Sequence, residues 1–81
     1  MNEMDLIIRT NVMEILIECR KEKGITQREL AEAIGSKETT VASWEQGKSL
    51  PNIQTLYRLS KYYNKTIGYM FGEKENNNAQ S

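Results

Sequence analysis

Residues 27–47 read QRELAEAIGSKETTVASWEQG, and two helix signatures sit back to back within them. Thr26 stands just before this stretch, with Glu29 three residues on. That spacing is a capping box: the threonine hydroxyl accepts the Glu29 N–H, and the Glu29 carboxylate accepts the Thr26 N–H. A helix therefore starts at Gln27. Leu30, Ala31 and Ile34 give it one apolar stripe. Ala31 is small, which lets another helix cross closely there. Gly35 follows at once, and glycine ends helices in the left-handed conformation. A new pattern then begins, with Thr40 or Val41 and Trp44 on its inner side, and Gly47 offers a second stop. Two helices of about two turns, joined by a short turn containing glycine, make a helix-turn-helix.

Upstream, a first helix is expected from Asn11 to Lys23, capped by Thr10 or Asn11, with Val12, Ile15, Leu16 and Cys19 as its inner face. Arg20, Lys21 and Lys23 load its last turn with positive charge, which suits a helix C-terminus. Gly24 ends it, and Ile25 plugs the core on the way to the next helix. Residues 1–10 are left as an N-terminal arm. Its Leu6, Ile7 and Ile8 fit a disordered segment, a short strand or an apolar anchor. Ile17, off the helix stripe, is the place on which such an arm would rest.

Downstream, Lys48-Ser49-Leu50-Pro51 is a breaker-rich link. A fourth helix starts at Pro51 or Asn52, with Ile53, Leu56, Leu59 and Tyr63 as its stripe and Tyr57 beside them. It should end near Asn64, since asparagine tolerates the left-handed conformation. Thr66 caps a short fifth helix through Ile67, Met70 and Phe71, and Gly72 stops it. Residues 73–81, EKENNNAQS, offer nothing large and apolar and read as a disordered tail. The chain is thus all-α: one domain over 11–72 with an arm before it and a tail after it.

Composition narrows the function. There is no histidine and one cysteine, so no zinc site, no activated thiol and no intrachain disulfide is expected. This suits a reducing, cytoplasmic setting. No apolar run approaches the ~20 residues of a membrane span. The opening MNEMDLIIRT puts acids ahead of a very short apolar run, the wrong layout for a signal peptide. No glycine-rich phosphate loop is present, so neither an enzyme nor a cofactor is expected. Net charge is zero, from 11 basic and 11 acidic side chains. Each tail carries one excess acid, which leaves residues 11–72 weakly basic. Affinity for nucleic acid would need a focused patch rather than overall charge.

The runs ITQRELAEAIG, TTVASWEQG and PNIQTLYRLSKYYNKTIGYMFG together resemble the five-helix DNA-binding domains of the lambda repressor/Cro group, the Xre-like family. The resemblance covers Asn11 to Gly72. It rests on Ala31, Gly35 and Val41, on Trp44-Glu45-x-Gly47, and on Pro51 followed by Leu56 and Leu59. It implies that the third helix lies in the major groove while the start of the second touches the backbone. Position by position, Lys37, Glu38, Thr39 and Ser43 then face bases, and Gln27, Thr40, Arg28 and Lys48 face phosphates. Arg20 and Glu45 occupy positions that pair the first helix with the end of the third. An exposed pair of this kind contributes only ~0–1 kcal/mol.

Two departures from the family pattern stand out. Lys37 occupies the place where relatives carry a Ser or Thr cap, so Ser36 caps instead or the helix end stays uncapped. Glu38, when ionised, accepts hydrogen bonds only, which points to a cytosine N4 donor rather than to adenine. The resemblance further implies a homodimer on a palindromic double-stranded operator, acting as a repressor. Ile67, Tyr69, Met70 and Phe71 are the expected interface, and Leu6–Ile8 a second candidate. A protein-interaction module, such as the antitoxin of a toxin–antitoxin pair, is the alternative that the zero net charge and Glu38 favour.

Overall fold

Asn2 sets where the chain first becomes regular. In the computed structural model, which describes residues 2–73, its side chain accepts the Asp5 N–H at 2.8 Å and so caps a helix. Helix α1 runs Glu3–Lys23, with Glu3 and Asp5 at its positive N-terminal end. The expected arm over residues 1–10 and the cap at Thr10 or Asn11 are therefore corrected: the helix begins eight residues earlier than Asn11. Asn11 instead donates its side-chain N–H to the Phe71 carbonyl, at 3.3 Å. Ile8 packs against the core, whereas residues 3–7 are exposed. No arm rests on Ile17, which is half-buried.

The remaining helices are α2 Gln27–Ile34, α3 Glu38–Glu45, α4 Ile53–Tyr62 and α5 Ile67–Met70. Both halves of the Thr26–Glu29 capping box are formed, at 3.0 and 2.8 Å. Gly35 has φ 75°, as a sharp turn after Ile34 requires. Asn52 and Thr66 cap α4 and α5 through the Thr55 and Tyr69 N–H groups. Asn64 takes φ 58° just past α4, the expected left-handed stop. At α3 the cap position belongs to Lys37, whose side chain makes no capping bond. Ser36 does not take that role.

Among the described residues, twelve side chains build the core: Val12, Ile15, Leu16 and Cys19 from α1; Leu30, Ala31 and Ile34 from α2; Val41 and Trp44 from α3; Leu56 and Leu59 from α4; Met70 from α5. Helix α3 packs on α1 and α2, α4 on α2 and α5, and α5 back on α1. The period reading of α4 needs correction. Ile53 and Tyr57 are 64% and 54% exposed, and Thr55 and Ser60 are buried in their place. Ser60 satisfies its hydroxyl by donating to the Tyr57 carbonyl at 2.7 Å, so a small polar residue can lie against the core.

Met70 also corrects the expected interface. It is fully buried within one chain and is not available to a second copy. Helix α5 is a single turn, and Met70 points inward from it while Ile67, Tyr69 and Phe71 are half-buried against the core. Of the expected tail, Glu73 is described: it is exposed, and its N–H bonds the Gly68 carbonyl at 3.0 Å. The rest of that reading, over 74–81, lies outside the described residues.

Two outcomes follow from this packing. Met70→Ala should lower unfolding stability in urea by about 2–5 kcal/mol, the cost of a core cavity. An unchanged midpoint would instead place Met70 at the surface. The Tyr63 hydroxyl is buried and has no hydrogen-bond partner among the described residues. Burial above all raises its pKa above the ordinary 10.0, with Cys19, Tyr62 and Glu45 adding to the effect. The folded state then holds that proton longer than the unfolded chain, so stability falls as pH rises past about 10. Tyr63→Phe should equal or exceed the parent at neutral pH and lose less stability in alkali, read from denaturation at both pH values.

Candidate nucleic-acid interface

The helix pair α2–α3 is held by a carboxylate. Glu45, at the last position of α3, is almost wholly buried, with its side chain 6% exposed. Arg20 of α1 donates to it twice, Nε to Oε2 at 2.7 Å and Nη2 to Oε1 at 3.0 Å. The third guanidinium nitrogen, Nη1, donates to the Ile25 carbonyl at 2.8 Å. Gln27, the first residue of α2, donates its side-chain N–H to Glu45 Oε1 at 3.0 Å. One carboxylate therefore ties the end of α1, the start of α2 and the end of α3. The hydrogen bond to Glu45 is also the main cause of the raised Arg20 pKa, against burial, which lowers it.

The expected Arg20–Glu45 pair is present, but it is not the exposed kind. It is bidentate and shielded, a geometry in which charge-assisted bonds are short and specific. Removing one partner leaves the other charge buried and uncompensated. The Gln27–Glu45 bond was not legible in the sequence: the two residues are 18 apart, and no local pattern joins them. It also changes what Gln27 offers. One amide hydrogen is held by Glu45, which leaves the other and the backbone N–H at the start of α2 for an anion.

On α3, Lys37, Glu38 and Thr39 are exposed and adjacent in the first turn, and Thr40 beside them is half-buried. The amides of Glu38 and Thr39 receive no side-chain cap from Lys37, so the positive end of α3 stays open. Ser43, one turn further on, is half-buried, and its hydroxyl shares a hydrogen bond with Ser49 at 2.7 Å. It braces the turn after α3 with part of its capacity. Arg28 is exposed and faces Glu32 loosely, at 3.6 Å. Lys48 is exposed in the turn.

That turn is anchored from α1. Arg9 donates to the Gly47 carbonyl at 3.4 Å, and Gly47 adopts φ 75°. A Cβ at Gly47 would lie 3.2 Å from the Met13 sulfur, so glycine serves both the turn and the close approach. Sequence reading missed Arg9 and Ser49, because both act through contacts distant in sequence or hidden in a loop.

The outcome to test is the shared carboxylate. Arg20→Ala should cost about 3 kcal/mol in chemical denaturation, since it strands Glu45. Arg20→Lys should lose less, keeping the charge but not the two-pronged geometry. Equal losses for the two variants would show that geometry is irrelevant.

Comparison with known proteins agrees with this architecture. The family model HTH_3, helix-turn-helix, matches residues 16–70. The transcriptional activator BcrR of Enterococcus faecalis is 36% identical over 62 residues, covering 76% of this chain and 30% of its own length. The transcriptional regulator PuuR of Escherichia coli is 37% identical over 60 residues, covering 74% of this chain and 32% of its own. The cryptic phage CTXphi transcriptional repressor RstR of Vibrio cholerae is 31% identical over 58 residues, covering 72% and 52%. The chain thus spans about a third to a half of these relatives. No solved structure matches. Five helices around a glycine-turned pair, together with these matches, show that the chain belongs to the HTH_3 helix-turn-helix family, with the all-α, lambda-repressor-like fold of Xre/Cro-type regulators.

Proposed function

We propose that the chain is a sequence-specific DNA-binding transcriptional regulator that reads a palindromic operator as a homodimer in the cytoplasm. The observation that carries this is the first turn of α3: Lys37, Glu38 and Thr39 stand exposed together at an uncapped helix end. The Arg20–Glu45–Gln27 network holds the far end of the same helix. A rigid helix with an exposed polar turn is the arrangement that enters a major groove.

The side chains then take distinct parts. Lys37 donates to guanine O6 or N7, and Glu38 accepts from a cytosine N4. Thr39 and the remaining capacity of Ser43 serve adjacent bases. Gln27, Thr40, Arg28 and Lys48 hold phosphates and set the register. Two such helices must lie about 34 Å apart to read one face of the duplex, hence the dimer. Repression by occupying a promoter needs no chemistry and is the mode proposed. Among the relatives, RstR is named a repressor and BcrR an activator.

Selection from a random duplex library, followed by titration of the winning site at several salt concentrations, tests this. The logarithm of the binding constant should fall linearly with the logarithm of salt. Glu38→Gln should move the preferred base at its position from cytosine toward adenine, and Lys37→Ala should weaken the winning site by about 1–3 kcal/mol. Binding that ignores salt, or no enriched site at all, would contradict the proposal.

A further inference from the structure

Exposed apolar residues are not scattered over this molecule. Among the described residues the large ones are Met4, Leu6, Ile7, Leu50, Ile53 and Tyr57. They fall into two patches. The first is the protruding start of α1, where Met4, Leu6 and Ile7 are each about half exposed or more. The second is the outer face of α4 with the loop before it.

The two patches carry opposite charge. Glu3 and Asp5 lie in the first turn of α1. Helix α4, IQTLYRLSKY, contains no acid, and its two charges, Arg58 and Lys61, are both basic and exposed. Ile53, Tyr57 and Lys61 recur every four residues and form one ridge along that face. The Lys61 ammonium lies 5.2 Å from the centre of the Tyr57 ring. Among the described residues neither Arg58 nor Lys61 makes an ion pair with a carboxylate. Beside the ridge, Tyr57, Arg58, Lys61 and Tyr62 of α4 line a shallow cleft of about 420 Å³ together with Ala33 and Ile34 of α2.

The patches also lie on neighbouring parts of the surface. Ile53 shares a smaller cleft with Val12 of α1, so the ridge begins beside that helix. From Val12 the helix continues back to Met4, about 12 Å at the α-helical rise. An acidic, apolar helix end and a basic, apolar helix face on one chain are complementary to each other. A two-fold axis can satisfy both at once, because each copy offers what the other accepts.

We propose that the start of α1 is a docking element for a second copy of this chain. Its Met4 and Ile7 seat against Ile53 and Tyr57 of the other copy, and Glu3 and Asp5 pair with Arg58 and Lys61. The proposal rests on the homodimer reading and places its interface at α1 and α4 rather than at α5. A duplex would be a poor occupant of this ridge, since two large apolar side chains lie among its charges.

The test uses the full chain. Equal amounts of isotope-labelled and unlabelled protein are mixed, and filtered NOEs are recorded beside sedimentation equilibrium. The expected result is a mass of two chains, with intermolecular NOEs from Met4 and Ile7 methyls to the Tyr57 ring. Arg58→Glu/Lys61→Glu should drop the mass to one chain while circular dichroism stays unchanged. Adding Glu3→Lys/Asp5→Lys to that variant should bring the dimer back. A dimer whose NOEs join other surfaces overturns this interface and leaves the homodimer standing. A monomer at every concentration overturns the interface and the homodimer in the absence of DNA. A mass climbing past two chains overturns the closed, two-fold pairing.

Discussion

The carboxylate of Glu45 is the joint on which the rest of the molecule turns. It closes α3 from below, takes two bonds from Arg20 and one from Gln27, and has almost no contact with water. A charge so placed is costly unless its partners are fixed, and here three bonds from two partners join α1 and α2 to the end of α3. The angle of α3 is therefore set by electrostatics at its C-terminal end and by packing of Val41 and Trp44 along its inner side. Its N-terminal end is left open, with Lys37 in the cap position making no side-chain bond. A helix held at one end and free at the other is suited to presenting its first turn.

The division of labour across the fold follows from that. Helices α1 and α4 form the body, and α5 closes it with Met70. The turn after α3 is held twice, by Ser43 with Ser49 and by Arg9 with Gly47. Arg9 belongs to the part of α1 that precedes Asn11, so this extension supports the turn that follows α3. Its outermost turns, from Glu3 to Ile7, contribute nothing to the core and remain exposed.

What the sequence disclosed, and what it hid, divides along physical lines. The α2–Gly35–α3 unit was legible because capping, periodicity and the left-handed turn are local and mutually consistent. So were the core residues of α1 through α3 and the pairing of Arg20 with Glu45. The start of α1 was not, because an apolar run preceded by acids satisfies several structures, and the Asn2 cap stands ahead of the apolar run rather than beside it. Helix α4 misled for another reason. Ile53 and Tyr57 fit the helical period but lie on its outer side, and small polar Thr55 and Ser60 fill the inner positions. Met70 was misplaced because a one-turn helix carries too little periodicity to show which residue points inward. The bond from Gln27 to Glu45 had no local signature at all.

On the proposed function, the first turn of α3, steadied from its far end by Glu45, is the surface that meets DNA. Amide chemical-shift mapping of the labelled protein against its selected duplex tests this most directly. The largest changes are expected at Lys37, Glu38 and Thr39, with Gln27 and Lys48 also shifting. Changes concentrated on α5, or on the outer face of α4, with α3 unmoved would contradict it.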